Sequence, residues 1–219
     1  MHVVIAGGHG KIGLRLAALL AGRGDVVTGV VRNPDHREDL ERAGATAAVV
    51  DLESAGVDEL AVHLTGADAV VFAAGAGPGS GVARKDTVDR AAALLLADAA
   101  TQAGVRRYLL VSSMGVDAEP DPERGEVWAA YIRAKKAAEE AITSSELEWT
   151  VLRPGRLTDD PGTGLVLLGP PPVGPGPISR DDTAAVIAAL LDHPATAGHV
   201  LELREGDADV LEAVTAVSS

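Results

Sequence analysis

A doubly wound α/β sheet, mostly parallel and covered by helices on both faces, is the fold this sequence predicts, and three observations predict it. Short β-branched runs alternate with longer stretches of helical spacing along the chain. Several of the runs are apolar without interruption, as strands buried on both faces are. Glycines fall just past the ends of four helical stretches, where a left-handed residue ends a helix. With 219 residues, 47% of them hydrophobic, the chain is long enough to bury a sizeable core as one domain spanning 1–219. Only 2% are aromatic, so Ala, Val and Leu must fill that core.

Taken in order, Val3–Ala6, Val26–Val31, Ala47–Val50, Ala69–Ala74, Tyr108–Ser112, Thr150–Leu152 and Val200–Leu203 read as strands. Between them Ile12–Ala21, Arg37–Ala43, Asp58–Leu64, Lys85–Ala103, Glu126–Thr143 and Arg180–Leu191 carry helix spacing, and Gly22, Gly44, Gly66 and Gly104 follow four of their ends. Strictly alternating elements imply right-handed crossovers and a ligand crevice at the carboxyl ends of the strands. Two stretches break the rhythm, Gly75–Gly81 and the Gly/Pro-rich Gly155–Pro177, and both follow strand ends. The second, a small segment at about 155–178, reads either as a border of the crevice or as a mobile excursion. Ser179 with Asp182 forms a capping box that restarts order. No internal repeat is detectable.

Composition excludes several classes of function. A formal charge of −13 and a pI near 4.8, with no Lys/Arg-rich stripe, would repel a phosphate backbone, so no nucleic acid partner is expected. With no cysteine there is no disulfide framework, thiolate zinc site or thiol nucleophile. The apolar run Val3–Ala6 is cut by Gly7 and has no basic leader, and Ala91–Ala100 is short, contains Asp98 and follows Arg90. Neither a signal peptide nor a membrane span is expected, and the location expected is cytoplasmic. The histidines at 2, 9, 36, 63, 193 and 199 are dispersed, with no pair at ligand spacing, so no metal site is expected.

Directly after the first strand comes Gly7-Gly8-His9-Gly10-Lys11-Ile12-Gly13, followed by an amphipathic helix. Read from Gly8 it is G-x-G-x-x-G; read from Gly7 it is G-x-x-G-x-x-G. The first glycine permits a tight turn, the middle one lets the backbone approach a pyrophosphate, and Gly13 lets helix and strand pack closely. The helix start adds amides and partial positive charge. Strand, loop and helix together make a Rossmann-type dinucleotide site. Lys11 would add charge beside the phosphates, while His9 reads as a loop residue against the cofactor. Where folds selective for NAD place an acid, at the end of the second strand, this chain has Arg32, which favours the 2′-phosphate of NADP(H), with NAD(H) as the alternative. Asp51 and Leu52, closing the third strand, suit an adenine edge and face, and Asp51 equally suits a turn cap.

On the helix before the sixth strand, Tyr131-Ile132-Arg133-Ala134-Lys135 puts a phenol and an ammonium one turn apart on the same face. A phenol, with an ordinary pKa near ~10, is a poor acid at neutral pH, and a neighbouring cation eases its proton transfer. Lys135 would also hold the nicotinamide ribose. Ser113, with Ser112 as the weaker candidate, stands at the end of the fifth strand to hydrogen-bond a carbonyl oxygen. An ordinary surface pair between Lys135 and Glu139 is the alternative account of the helix.

These residues resemble the atypical short-chain dehydrogenase/reductase superfamily, especially its small NAD(P)H-binding branch near the NmrA-like and biliverdin-reductase-B-like proteins. The resemblance spans nearly the whole chain and rests on the glycine loop, Val111-Ser112-Ser113-Met114-Gly115, the Tyr131–Lys135 helix with Glu139-Glu140, Trp149–Gly155, and Ile178-Ser179-Arg180-Asp181-Asp182. It implies that Gly7, His9, Gly10, Lys11 and Ile12 meet the pyrophosphate and Arg32 the adenosine phosphate. It further implies that Asp51 and Leu52 meet adenine, that Ala73, Ala74 and Gly75 line the cofactor, and that Pro154 sits near the nicotinamide. Ser113, Tyr131 and Lys135 fall at the catalytic positions. The short segment after Gly155 lacks the larger substrate subdomain of extended members, which argues against a bulky sugar-nucleotide substrate. Two functions follow: an NADPH-dependent reductase of a small carbonyl, quinone or flavin-like acceptor, or a cofactor-sensing regulator without turnover. The helices carrying Val88–Leu96 and Glu126–Ala141 offer a face for a homodimer and fit intramolecular packing equally well.

Overall fold

The computed structural model describes residues 1–77 and 79–218. Pro78, inside the Gly75–Gly81 stretch, and Ser219 lie outside the described residues. The anticipated strands form β1 (His2–Ala6), β2 (Val26–Val31), β3 (Thr46–Val49), β4 (Ala69–Phe72), β5 (Arg107–Val111) and β6 (Glu148–Pro154). The helices between them are α1 (Lys11–Gly22), α2 (Arg37–Arg42), α3 (Val57–Leu64), a continuous helical run from 82 to 103, and α6 (Glu126–Thr143). That run begins as α4 (Val82–Arg84), widens into a π-helical segment at Lys85–Ala91 and continues as α5 (Ala92–Ala103). After β6 come β7 (Arg156–Thr158), β8 (Leu165–Gly169), β9 (Pro177–Ser179), α7 (Arg180–Leu191), β10 (His199–Glu205), β11 (Ala208–Asp209) and α8 (Val210–Val217).

The main sheet has the order β11-β8-β10-β6-β5-β4-β1-β2-β3, with β8 antiparallel to β10 and to β11 and every other pair parallel. Alternation of side chains along each buried strand builds two cores at once. Val3, Ile5, Val71, Leu109 and Leu152 point to one face, against Leu16, Leu20 and Ile187 of α1 and α7. Val4, Ala6, Val70, Phe72 and Leu110 point to the other, against Leu60, Leu96 and Ile142 of α3, α5 and α6. The strand order reverses at β1, between β2 and β4, and this is where a crevice opens at the carboxyl ends.

The Gly/Pro-rich stretch contains order that its composition hides. It holds β7 and β8, and it leads into β9, which pairs with β7 in register Leu157↔Ile178. Its Pro-rich part is fastened from β10: the Val173 amide donates to Glu202 at 2.9 Å, and Arg204 Nε donates to the Val173 carbonyl at 3.2 Å. The expected capping box forms by half. Ser179 Oγ accepts the Asp182 amide at 2.9 Å, but the Asp182 carboxylate, instead of accepting the Ser179 amide, accepts the Ser179 hydroxyl at 2.8 Å and the amides of Thr163 and Gly164 at 3.0 and 2.8 Å. Asp182 thereby ties the loop before β8 to α7, and it is buried. Asp182→Ala strands those amides and is expected to cost about 2–3 kcal/mol of unfolding free energy, read by chemical denaturation.

Candidate active site

The glycine loop follows from contacts that leave no room for a side chain. Gly7 has φ +84°, and a Cβ there would lie 2.6 Å from the Ala74 Cα; one on Gly13 would lie 2.3 Å from the Gly7 carbonyl oxygen. Gly8 packs on Gly29 of β2, where a Cβ would come within 2.6 Å of the Gly29 Cα. The Gly10 amide donates to the Gly7 carbonyl at 2.8 Å and closes the turn. At the start of α1 no side chain caps the first-turn amides, and the first turn carries no acid. A tight backbone cradle beneath uncapped amides fits a dinucleotide pyrophosphate.

Around this cradle the flanking candidates are engaged with protein groups. His9 Nε2 lies 2.6 Å from Asp39 Oδ2, and its ring stacks on His36 with centroids 3.5 Å apart. The hydrogen bond from His9 holds the Asp39 carboxyl below its ordinary range. Lys11 reaches Asp159, directly after β7, at 2.5 Å. Arg32, at the end of β2, is exposed and donates to Glu53 at 2.9 Å. Arg84 and Thr87 bond the same carboxylate, and these two, Arg84 first, hold the Glu53 carboxyl below its ordinary range. Asp51 Oδ1 accepts the Glu53 amide at 3.1 Å and so caps its turn, and Leu52 packs at the edge of the α3/α5 core.

Beside the cradle lies a cleft of about 1390 Å³. Ile12, Ala73, Ala74, Gly75, Ser113, Tyr131, Lys135 and Pro154 all line it, while Gly7, His9, Gly10, Lys11, Arg32, Asp51 and Leu52 lie outside it, along the ends of β1 to β3. Its size exceeds the ~300–1,000 Å³ of a site for one small molecule, leaving room for part of a cofactor and an acceptor together. Ser113 is half-buried and donates to the Met114 carbonyl at 3.2 Å. Tyr131 is half-buried beside Trp128, with ring centroids 5.3 Å apart. Lys135 is only 4% exposed; its ammonium donates to the Val111 carbonyl at 3.0 Å, lies 3.5 Å from Asp89 and stands 6.0 Å from the Tyr131 ring centroid.

Lys135 is therefore no surface partner of Glu139. Glu139 instead bonds Arg153 of β6 at 2.6 Å, and Arg153 also grips Asp117 at 2.5 Å. Burial alone would lower the Arg153 pKa, but its hydrogen bonds to Glu139 and then Asp117 outweigh it and raise the value. This clamp ties α6, β6 and the loop after Ser113 together. Sequence reasoning missed Asp89, 1% exposed, and Lys85, 8% exposed, both on the π-helical segment and both lining the cleft. The trace they leave in the sequence is a Lys and an Asp four apart in a helix whose other buried residues are Val88, Ala92, Ala93, Leu96, Ala97, Ala99 and Ala100. Both side chains line the cleft from within that π-helical segment.

Gly13→Ala drives a methyl into two backbone carbonyls, at 2.3 Å from Gly7 and 2.8 Å from Gly8. An expected loss of about 1–3 kcal/mol in chemical denaturation comes with a loosened cradle, read as weaker NAD(P)H binding in a fluorescence titration.

Comparison with known proteins agrees with this geometry. A family model described as NAD(P)H-binding matches residues 7–194. A Bacillus subtilis protein named as an uncharacterized sugar epimerase, YhfK, is 35% identical over 215 residues, covering 98% of this chain and 99% of its own. A putative NAD-dependent epimerase/dehydratase from Bacillus halodurans superposes with a TM-score of 0.89 at 32% identity, covering 99% of each chain. ChuY from Escherichia coli, described as an anaerobillin reductase, superposes with a TM-score of 0.81 at 25% identity, covering 95% of this chain and 99% of its own. The chain belongs to the NAD(P)H-binding family of Rossmann-fold proteins that resemble atypical short-chain dehydrogenases/reductases.

Proposed function

We propose that the protein is an NADPH-dependent reductase of a small carbonyl, quinone or flavin-like acceptor. The observation that carries this reading is the buried Lys135 ammonium at the floor of the cleft, fixed by Val111 and Asp89 close to Tyr131 and on the same cleft as Ser113. A reductase among the structural relatives supports it.

When bound, the reduced nicotinamide supplies a hydride. The Tyr131 phenol donates the proton that the acceptor oxygen then needs, and the Lys135 charge favours the phenolate left behind. Asp89 and the Val111 carbonyl keep that ammonium in place. Ser113 exchanges its bond to the Met114 carbonyl for one to the acceptor oxygen and so orients it. Arg32 is the group that prefers NADPH to NADH: exposed at the end of β2, it exchanges Glu53 for a 2′-phosphate.

Two variants test these roles. Tyr131→Phe is expected to slow NADPH oxidation by carbonyl acceptors about 100-fold, followed by the loss of nicotinamide absorbance. Unchanged turnover with every acceptor would remove Tyr131 from the chemistry. NADPH binding without oxidation by any carbonyl, quinone or flavin would make the protein a cofactor sensor instead. Arg32→Ala is expected to weaken NADPH binding about 10- to 100-fold in a fluorescence titration while leaving NADH binding nearly as it was; an equal loss for both cofactors would rule out the 2′-phosphate role.

A further inference from the structure

Charged residues on the π-helical segment and its lead-in are paired one by one, with a single exception among the described residues. Arg84 is held by Glu53 at 2.8 Å, Asp86 by Arg90 at 2.6 Å and Asp89 by Lys135 at 3.5 Å. Lys85 has no carboxylate in ion-pair contact among the described residues. Its ammonium donates to the Gly77 carbonyl at 3.1 Å and lies 5.5 Å from the Tyr131 ring centroid. Three donors sit on that nitrogen, and one carbonyl uses one of them. A cation with little exposure and no carboxylate at ion-pair distance among the described residues is left to take its counter-charge from the cleft it lines.

The cleft is where the missing charge can be supplied. Lys85 lines it, and so does Ser112, whose buried Oγ has no hydrogen-bond partner among the described residues. The pyrophosphate cradle does not fill this role, since Gly7, Gly8 and Gly10 lie outside the cleft. The Trp128 ring stands 5.3 Å from that of Tyr131, with the Arg124 guanidinium 3.4 Å over it, and Met114 and Pro175 belong to the same cleft lining. Such walls take a planar hydrocarbon body.

We infer that the acceptor is an anion: a flat, largely apolar molecule whose carboxylate is received by Lys85. This rests on the reductase reading only in taking the cleft for the acceptor site, because recognition needs no turnover. Lys85 thus fixes which acceptors are admitted, whereas Lys135, held by the Val111 carbonyl and Asp89, serves the phenol.

The test compares 2-naphthoate with the neutral 2-naphthamide, of nearly the same shape, by calorimetric titration of the protein alone and in saturating NADPH. The expected result is naphthoate binding about tenfold tighter than naphthamide, a preference reduced to less than about twofold in Lys85→Met and retained in Lys85→Arg. Thermal unfolding of each variant shows whether it is folded. Wild-type protein that binds naphthoate no better than naphthamide, or does not bind it at millimolar concentration, overturns the inference whatever the variants do. A preference that survives Lys85→Met in a folded protein overturns it as well. NADPH oxidation is not part of the readout, so a protein inactive with every acceptor but selective for naphthoate loses the reductase reading and keeps this one.

Discussion

Burying a charge requires a partner, and that requirement fixes how the carboxyl ends of the strands are assembled. Lys135 reaches the Val111 carbonyl and Asp89, which draws β5, α6 and the π-helical segment to one point. Arg153 spans Glu139 and Asp117, joining β6 and α6 to the loop that carries Ser113. Deeper in the sheet Arg107 does the same for the lower end, donating to Thr150, Thr196 and the Leu190 carbonyl. Each of these groups would be expensive alone; together they permit few arrangements of the elements that hold them. Apolar packing brings α6 to the sheet, and the ionic contacts set its register along it.

The two halves of the site are built by different means. On the β1 to β3 side, shape does the positioning: Gly7, Gly8 and Gly13 are held at backbone contact distance, and the α1 amides are left without caps. On the β4 to β6 side, charged and hydroxyl side chains gather at strand ends and on a helix whose widened turn faces them. The reversal of strand order at β1 is the seam between them, which lets one elongated ligand touch both. Arg32, Glu53 and Arg84 bridge that seam at the surface, linking the end of β2, the turn after β3 and the start of the helical run.

Much of this was legible beforehand because the signals are local. Unbroken apolar runs such as Ala69–Phe72 and Tyr108–Val111 reported strands buried on two faces, and the glycine spacing after β1 reported both the turn and the close helix. Tyr131 and Lys135 were found by one turn of helix. What was missed depends on distant partners. Leu165–Gly169 is short and flanked by glycine and proline, and only its pairing with β10, far along the chain, makes it a strand. Asp89 and Lys85 sit in a segment whose pattern predicts an ordinary helix; nothing in the spacing announces its π-helical geometry or the burial of both charges on it. The half-formed box at Ser179 has the same origin, since Asp182 is drawn off by amides of a loop that the helix itself does not specify.

The wall that residues 172–177 give the cleft is secured almost wholly by main-chain atoms on its own side. A Cβ on Gly155 would come within 2.2 Å of the Gly176 carbonyl oxygen, the Arg156 amide donates to that same oxygen at 3.0 Å, and Glu202 and Arg204 hold the Val173 amide and carbonyl. The attachment at Val173 uses main-chain atoms that any residue but proline possesses, while Gly174, at φ +83°, favours glycine. Diversification can therefore proceed at this wall, reshaping what the cleft admits, while the frame that presents Ser113, Tyr131 and Lys135 stays where it is.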